Sequence, residues 1–379
     1  MNAFLCAADD CTGCGACASV CAAGAIELQP DEEGFLHPVT DKERCLSCGA
    51  CTAVCPVLGE KENRPVLQAL AACSLNQELR RDSSSGGAFS LLAQWVLEQG
   101  GAVYGAAFAP DQRGVRHIRV EDMVQLALLR GSKYIQSAPG NMFADAAQQL
   151  QRGRWVLFSG TPCQTAAFKR FLGQEPEHLL TVDILCHGVA APAAWRAYLD
   201  EEERTAGSQV RAVSLRDKSR GWRRYGSLVQ FSNGKSLCRS RSEDPFLRCY
   251  AKELMLRESC YHCPFKGERY AGDITLGDLW GIRHFSLPQE LDDDEGTSLV
   301  LLRSQKGKAL WAKVAESVAA EEISAEEALC HNSAALRSVE RPAARDKMPA
   351  LLRQGGIQMV VKRLCPLSAK ERLRHLLGR

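Results

Sequence analysis

Two runs of closely spaced cysteines stand near the start of the sequence. The first run is Cys11, Cys14, Cys17 and Cys21, and the second is Cys45, Cys48, Cys51 and Cys55. Both have the spacing C-x2-C-x2-C-x3-C, by which bacterial ferredoxins hold two [4Fe–4S] clusters. Such clusters move single electrons, so the pattern predicts a redox protein.

The fourth cysteine of each run is expected to bind the cluster of the other run, as in two-cluster ferredoxins. The predicted sets are Cys11, Cys14, Cys17 and Cys55 for one cluster, and Cys21, Cys45, Cys48 and Cys51 for the other. Zinc sites usually combine two C-x2-C pairs rather than two runs of four. Disulfides need an oxidising compartment, of which the sequence gives no sign. We therefore favour clusters over both alternatives.

A second set of four cysteines lies in the middle of the chain. Cys163 follows one predicted strand, Cys186 ends another, and Cys260 and Cys263 form a C-x2-C pair. Ligands in α/β proteins collect beyond the carboxyl ends of strands, and four thiolates are enough for a third [4Fe–4S] cluster. Two alternatives stay open: Cys163 with His187 as nucleophile and base, and Cys260 with Cys263 as a zinc site or redox dithiol.

A site for a phosphate-bearing cofactor is predicted at Ser85-Gly86-Gly87, directly before a predicted helix. Helix N-termini attract phosphate, and glycines let the backbone approach it. Taken alone, however, the segment is better interpreted as an ordinary serine-capped helix, because serine caps are common. The segment Arg130-Gly131-Ser132-Lys133-Tyr134 adds a cation, a hydroxyl and an aromatic ring. Because clusters carry single electrons and most organic reductions need two, a flavin is the expected cofactor.

The elements that must position these residues alternate between strand and helix after residue 66, which predicts an α/β core, α+β overall. Predicted strands are 67–73, 102–108, 155–159 and 179–185, and predicted helices are 89–99, 143–151 and 165–172. Residues 210–240 favour a β-hairpin that turns at Ser232-Asn233-Gly234. Residues beyond 300 are expected to be mainly helical, and Glu60–Pro65 is expected to be a polar linker.

Composition indicates a globular protein of two or three domains, because the chain has 379 residues, of which 45% are hydrophobic and 24% charged. No apolar stretch is long enough for a membrane span, and the first residues do not resemble a signal peptide. We expect a cytoplasmic protein that does not bind nucleic acid. The basic C-terminal tail could contact a membrane surface or an acidic partner, but a solvated terminal helix is the favoured interpretation.

Eighteen cysteines in a reducing compartment favour metal ligands. Six cysteines lie outside the two front runs and outside the set of four in the middle of the chain. They show no motif and are interpreted as small core or surface residues. They are Cys6, Cys73, Cys238, Cys249, Cys330 and Cys365.

Downstream of the cysteine runs, several motifs together resemble the beta subunits of coenzyme F420 hydrogenases and dehydrogenases, a family to which plant 7-hydroxymethyl chlorophyll a reductase is also similar. The matching pieces are Ser85-Gly86-Gly87, Arg130-Gly131-Ser132-Lys133-Tyr134, Gly160-Thr161-Pro162-Cys163-Gln164, Cys186, the Cys260/Cys263 pair and Gly272-Asp273-Ile274-Thr275-Leu276-Gly277-Asp278. The resemblance covers about residues 66–300. It implies a flavin-binding region (66–150) and a region with the third cluster (151–300), while the cysteine runs predict a ferredoxin module (1–60) and the residue pattern a helical, basic end (301–379).

The resemblance implies an FAD, or FMN in its place, beside a cluster on Cys163, Cys186, Cys260 and Cys263. The residues that it places near the flavin are Ser85, Gly86, Gly87, Lys133, Tyr134 and Ser137. Members exchange hydride with a deazaflavin or reduce another organic substrate. Residues 215–222 and Gly281 depart from the subunits that use F420, so Arg216, Lys218 and Trp222 are candidates for an anion pocket; a charged surface hairpin is the alternative.

The expected function is therefore an iron–sulfur flavoprotein oxidoreductase. Electrons would enter from a ferredoxin or another redox protein and reach a two-electron organic acceptor, F420 or a different one. His187 is a candidate proton donor, and Arg216 and Lys218 are the other candidate catalytic residues. Two other functions remain open: an electron-relay subunit of a larger hydrogenase or dehydrogenase, and a Cys/His thiol enzyme with structural clusters.

Overall fold

The computed structural model describes residues 5–366, and these form three β-sheets flanked by helices. The strands are β1 Ile26–Pro30, β2 Leu36–Thr40, β3 Gln68–Ser74, β4 Ala102–Phe108, β5 Val115–Val120, β6 Ser137–Ala138, β7 Val156–Gly160, β8 Leu179–Ile184, β9 Val210–Asp217, β10 Gly226–Phe231, β11 Ser236–Ser240, β12 Ile274–Asp278, β13 Ser298–Leu302 and β14 Val318–Glu322. The helices are α1 Ala16–Val20, α2 Ala50–Ala53, α3 Gln77–Arg81, α4 Ala88–Glu98, α5 Met123–Leu126, α6 Met142–Gln151, α7 Pro162–Leu172, α8 Pro192–Ala206, α9 Pro245–Ala251, α10 Gln305–Ala312, α11 Ala325–Cys330, α12 Ser333–Leu336 and α13 Met348–Leu364.

The front of the chain is built as two similar halves. The hairpin β1–β2 separates two short helices, α1 and α2, which pack against each other. Each helix follows a glycine in the left-handed backbone region, Gly15 with φ 82° and Gly49 with φ 76°. Only glycine adopts this conformation without steric cost. The two cysteine runs therefore enter their helices through the same local turn.

The central sheet has nine strands in the order β14-β3-β13-β12-β8-β7-β4-β5-β6. The four middle strands, β12, β8, β7 and β4, run parallel, whereas β3, β13 and β14 pair antiparallel at one side. This mixed sheet with helices on both faces confirms the α/β core. Because β7 and β8 are parallel neighbours, their carboxyl ends bring the residues after Gly160 and Ile184 to the same edge.

Alternating side chains of the sheet form cores on both faces. One face packs Leu157, Leu180 and Val300 against α4 and α10. The opposite face packs Tyr104 and Phe158 against α6 and α7, and the front module joins this same core through α1. Burial of these apolar groups supplies the main driving force for the fold. The front module is thus packed on the sheet rather than tethered beside it.

A second layer covers the carboxyl edge of the sheet. The three-stranded sheet β11-β10-β9 packs with α8, α9 and α13 around the buried rings of Trp195, Tyr198 and Phe246. The β10–β11 hairpin and its turn at Gly234 confirm the predicted hairpin, to which β9 adds a third strand.

The described C-terminal part is mainly helical, as its pattern predicts, but it also contributes one strand to the sheet. β14 pairs antiparallel with β3 at the sheet edge, where most of its side chains are exposed. An exposed edge strand lacks the apolar alternation that identifies strands. The predicted basic cluster from Lys370 to Arg379 lies outside the described residues. No helix within residues 5–366 is long and apolar enough to cross a membrane.

The expected linker Glu60–Pro65 is held firmly to the core. Arg64 forms ion pairs with Glu62 (2.7 Å) and with the buried Asp273 (3.3 Å). Lys169 in α7 pairs with the same Glu62 carboxylate at 2.9 Å. The segment is polar because it carries these ion pairs, so its composition does not signal a mobile connection.

Candidate functional site

A small cavity in the front module collects cysteines from both runs. It has a volume of about 20 Å³ and is lined by Cys11, Cys14, Cys17 and Cys55, together with Cys6. The structure therefore brings Cys55 to the first run, as the spacing predicts. Burial raises the pKa of Cys14, and burial followed by the charge of Cys11 raises the pKa of Cys17 to about 12. The iron ions of a bound cluster would favour the thiolate forms of these cysteines.

The other four front cysteines lie nearer the surface. Cys48 is exposed, and Cys21, Cys45 and Cys51 are half-buried. The backbone N–H of Ala25 donates to the sulfur of Cys21 at 3.3 Å. Hydrogen bonds of this kind tune iron–sulfur clusters. The two predicted cluster sites therefore differ in solvent access, with the Cys11 set inside and the Cys45 set outside.

Cys6 is the residue of the front module that the sequence does not reveal. Hydrogen bonds link its thiol to Cys11 and Cys55 and raise the Cys6 pKa, while they lower the pKa of the two partners. It lies outside both runs and has no spacing relation to them, so no sequence signal marks it.

The second set of cysteines meets at a large cavity of about 660 Å³. Cys163 is the second residue of α7, just after β7, and Cys186 follows β8. Cys260 lies in a 3-10 helix, Glu258–His262, and Cys263 follows that helix. All four sulfur-bearing side chains line the cavity.

These four thiols are half-buried and are close enough to affect one another's charge. Desolvation raises the pKa of Cys163 and of Cys186 to about 11, and each rise is strengthened by another member of the set. Desolvation and the neighbouring Cys186 also raise the pKa of Cys260. Four free thiols that line one cavity are a donor set that fits a [4Fe–4S] cluster.

The structure does not favour Cys163 and His187 as a nucleophile and its base. The Cys163 sulfur lies 3.1 Å from the Thr161 hydroxyl, whereas His187 Nε2 lies 2.6 Å from Glu253 Oε2. A thiol with a raised pKa is a poor nucleophile, because the thiolate is the reactive form.

The GTPCQ segment has a clear local role. Thr161 caps α7 in a capping box: its N–H donates to Gln164 Oε1 at 3.0 Å, and Pro162 opens the helix. Gln164 Nε2 in turn donates to the Ser137 hydroxyl at 3.0 Å, and that hydroxyl lies 3.0 Å from His117 Nδ1. Proline at the first helical position and a capping box both stabilise helix starts. The motif thereby fixes Cys163 at the cavity wall.

The opposite end of the cavity is formed by the predicted phosphate-binding segment. Ser83, Ser84, Ser85 and Gly87 line it at the N-terminus of α4, where the N-cap Gly87 has φ 91°. The Ser84 hydroxyl accepts from Ser132 at 3.0 Å. A helix N-terminus with free N–H groups attracts anions.

The wall of the large cavity is strongly cationic. Six cationic side chains line it against two carboxylates, those of Glu253 and Asp278. The cations are Arg130, Lys133, Arg216, Arg241, Arg257 and Lys266. Burial lowers the pKa of Lys133 to about 7. The surplus of positive charge favours an anionic ligand.

Of the six residues predicted near a flavin, five line this cavity: Ser85, Gly87, Lys133, Tyr134 and Ser137. Gly86 does not. A Cβ atom on Gly86 would lie 2.2 Å from the Ala72 carbonyl oxygen, so this glycine serves the approach of two backbones. Tyr134 stacks on Tyr250 with ring centroids 4.6 Å apart.

The three candidate catalytic residues lie in different surroundings. His187 and Arg216 line the cavity, and Arg216 Nη2 donates to Asp278 at 2.8 Å while its guanidinium lies 3.8 Å from the Tyr225 ring. Lys218 is not among the lining residues; its ammonium donates to three backbone carbonyls, of Arg80, Ser85 and Glu295. Trp222 lies behind the wall, stacked on Trp280 at 5.1 Å.

Comparison with known proteins supports both halves of this arrangement. Residues 10–58 match the 4Fe-4S dicluster domain. Residues 153–328 match the family described as the C terminus of the coenzyme F420 hydrogenase/dehydrogenase beta subunit. The chain joins an iron–sulfur dicluster domain to a domain of this beta-subunit family. The resemblance seen in the sequence motifs is therefore confirmed, and this beta-subunit domain contains Cys163, Cys186, Cys260 and Cys263.

One solved structure with a similar fold is a chain of the F420-reducing [NiFe] hydrogenase complex from Methanosarcina barkeri, determined after xenon derivatization. It is 16% identical, with a TM-score of 0.49, over 73% of this chain and 93% of that one. No curated protein matches the chain by sequence.

Proposed function

We propose that this beta-subunit-like protein is an iron–sulfur flavoprotein oxidoreductase that links a one-electron donor to a two-electron organic acceptor. One observation carries the proposal: the inner front site and the cavity site, two of the three predicted cluster sites, adjoin each other. Thr12 lines both the front cavity and the large cavity, and the charge of Cys163 contributes to the raised pKa of Cys14, after burial. A cluster on each set would thus stand side by side.

The large cavity has room and chemistry for two cofactors. The four cysteines at one end would hold a third [4Fe–4S] cluster. Ser85, Gly87, Lys133, Tyr134 and Ser137 would hold a flavin, with its phosphates at the N-terminus of α4. A bound flavin supplies the exchange between single electrons and a hydride. The volume of about 660 Å³ lies within the range of cofactor sites.

The chain's own residues would control the proton that accompanies a hydride. His187 faces the cavity and is held by Glu253 at 2.6 Å, which orients the imidazole. His187 lies at the cavity wall, and an imidazole can donate or accept a proton there. Glu253 has no local sequence signal, although its backbone φ of 59° marks a residue under constraint.

The electron donor would approach the outer cluster site. Cys48 is exposed, and Leu46 beside it is 75% exposed. An exposed apolar side chain next to a redox site suits a transient contact with a ferredoxin or a similar protein. A lasting complex with a hydrogenase or dehydrogenase subunit would instead support the electron-relay function that the family name suggests.

The test is anaerobic analysis of iron and flavin in the purified protein. Three cubane clusters predict about twelve irons per chain, and extraction identifies FAD or FMN. Cys163→Ser should reduce the iron to about eight while the front clusters remain. Cys330→Ser, at an exposed cysteine of α11, is the matched control and should keep all irons.

A wild-type value near eight irons, unchanged in Cys163→Ser, would refute the third cluster. Absence of any flavin would refute the oxidoreductase and leave the relay subunit. Activity that survives complete removal of iron would favour thiol chemistry on Cys163 instead.

A further inference from the structure

Arg257 stands between the front module and the large cavity. It begins the turn that leads into the 3-10 helix Glu258–His262, and its side chain is only 2% exposed. Its Nε donates to the Cys11 carbonyl oxygen at 2.6 Å, and its Nη2 donates to the Leu36 carbonyl oxygen at 3.0 Å. This guanidinium therefore joins the core to the front module through two hydrogen bonds.

The third nitrogen of the guanidinium has no partner. Arg257 Nη1 is buried without a hydrogen bond, and the residue lines the large cavity. Within residues 5–366 the hydrogen bonds of Arg257 go to two backbone carbonyls and to His37, none of which is a carboxylate. A buried cation without a counter-charge is strongly destabilising. Something anionic must therefore be expected beside it in the working protein.

Cysteines lie on both sides of Arg257, because its Nε donates to the Cys11 carbonyl oxygen and its side chain lines the large cavity together with Cys163. The pKa of Cys11 is lowered first by a hydrogen bond with Cys6, and the charge of Arg257 adds to the effect. Burial raises the pKa of Cys163, and the charge of Arg257 opposes this rise. Arg257 thus acts on one cysteine of the inner front set and on one of the cavity set.

We propose that Arg257 is an electrostatic positioning residue shared by the inner front cluster and the cavity cluster, and that its charge raises the reduction potentials of both. The inference rests on the proposed function. Clusters with four thiolate ligands are anionic, and reduction adds one negative charge. A buried guanidinium in a low-dielectric site stabilises that added charge. One electron leaves the front site and one arrives at the cavity site, and no bond or proton changes.

The outer cluster site provides an internal reference. Its cysteines lie nearer the surface, and among residues 5–366 the hydrogen bonds of Arg257 go to Cys11, Leu36 and His37, none of which belongs to the outer set. The charge of Arg257 should be screened there by solvent. Removal of the Arg257 charge should therefore change the reduction potentials of the inner front cluster and the cavity cluster, but not that of the outer front cluster.

The experiment is an anaerobic redox titration of the holoprotein followed by electron paramagnetic resonance. Arg257→Gln should shift the potentials of two clusters to more negative values and leave the third unchanged. Reduction of the cavity cluster by the front clusters should slow in rapid mixing. Iron analysis is done first: about twelve irons per chain show that the variant is loaded.

A second variant tests the charge without removing the side chain. A Cβ on Gly13 would lie 2.2 Å from Gln136 Nε2 and 3.1 Å from Arg257 Nη1, so both atoms border the same point. Gln136→Glu keeps the acceptor for the Leu36 N–H (2.9 Å) and adds a negative charge beside the guanidinium. The two potentials should shift in the same negative direction as in Arg257→Gln.

Arg345→Gln is the matched control. Arg345 is also buried, and it also joins the core to the front module, through Glu33 at 2.8 Å. It should loosen the same interface without changing any potential. Unchanged potentials in fully loaded Arg257→Gln or Gln136→Glu would overturn the inference, as would an equal shift in Arg345→Gln. A wild-type protein with only about eight irons would instead refute the cavity cluster, which is a failure of the proposed function.

Discussion

The two cysteine-lined cavities are built in opposite ways. The front cavity is small, about 20 Å³, and takes its cysteines from two short runs that share one turn geometry. The large cavity, about 660 Å³, takes its cysteines from two strand ends and a 3-10 helix. The front cavity has space beside its cysteines for little more than the cluster that they would bind. The large cavity leaves room for a cluster together with a larger ligand.

The difference shows what each region can do. The front cavity is too small for a substrate and is lined by cysteines, so the front module is suited to electron transfer. The open cavity has cations, serines and a histidine besides its thiols, so reacting molecules can be held there. The two cavities adjoin at Thr12, and Cys14 of the front cavity lies near Cys163 of the large cavity. This contact would let an electron pass from one cavity to the other.

The largest expected effect comes from a break at this contact. Cys14→Ser should remove the inner front cluster and lower donor-driven turnover by more than about 100-fold, because loss of a ligand exceeds the cost of losing an outer partner. Iron should fall to about eight per chain. Flavin content should stay at the wild-type level, since the flavin belongs to the other cavity.

Cys186→Ser is the contrasting variant. It should also reduce iron to about eight, but flavin should bind more weakly, because both cofactors share one cavity. Equal flavin loss in Cys14→Ser and Cys186→Ser would show that the two regions do not act separately.

The difference between local and distant cysteines also determines how much of each cavity can be predicted from the sequence. The front set is local, so spacing alone identifies all eight cysteines, and β4 occupies the predicted residues 102–108. α4, Ala88–Glu98, lies within one residue of its predicted bounds. Short-range patterns of apolar residues and helix stops are sufficient there.

The rest depends on contacts between distant segments. β13 and β12 pair antiparallel in the middle of the sheet, which no turn signal announces, and β14 is an exposed edge. Arg257 and Glu253 lie in irregular segments and gain their roles only where the chain folds back on Cys11 and His187. Gly86 is correctly marked as special, but it is needed for close backbone packing against Ala72 rather than for the cavity wall.

A proton donor in the large cavity would sharpen its difference from the front module. His187→Asn should lower turnover by about 100-fold, the usual contribution of a positioned acid or base. Iron and flavin should remain at wild-type levels, which separates this effect from damage to the adjacent Cys186. Steady-state turnover together with cofactor analysis makes the measurement. Glu253→Gln should give a smaller loss, since it only orients the imidazole.

The lowered pKa of Lys133 predicts that binding at the proposed flavin end of the large cavity depends on pH. Burial lowers its pKa to about 7, so the ammonium is charged below that pH and neutral above it. Affinity for a phosphate-bearing flavin should therefore be highest below pH 7 and fall by up to about 10-fold as the charge is lost. Titration of the deflavinated protein at several pH values measures this. Lys133→Met should bind weakly at every pH; a retained pH profile in that variant would assign it to another group.

The smallest effect on turnover is expected at Lys218, which belongs to neither cavity. Its ammonium binds three backbone carbonyls and so ties the Ser85 segment to the loop around Glu295. Lys218→Met should lower the free energy of unfolding by about 1–3 kcal/mol, because buried acceptors lose their donor. Turnover per bound flavin should stay near the wild-type value, whereas Arg216→Met, at a cavity residue, should reduce it. Anaerobic thermal unfolding and turnover measure the two effects separately. If Lys218 were catalytic, Lys218→Met would lower turnover without lowering stability. Only that result would show that reactive groups lie behind the Ser85 segment as well as in the large cavity.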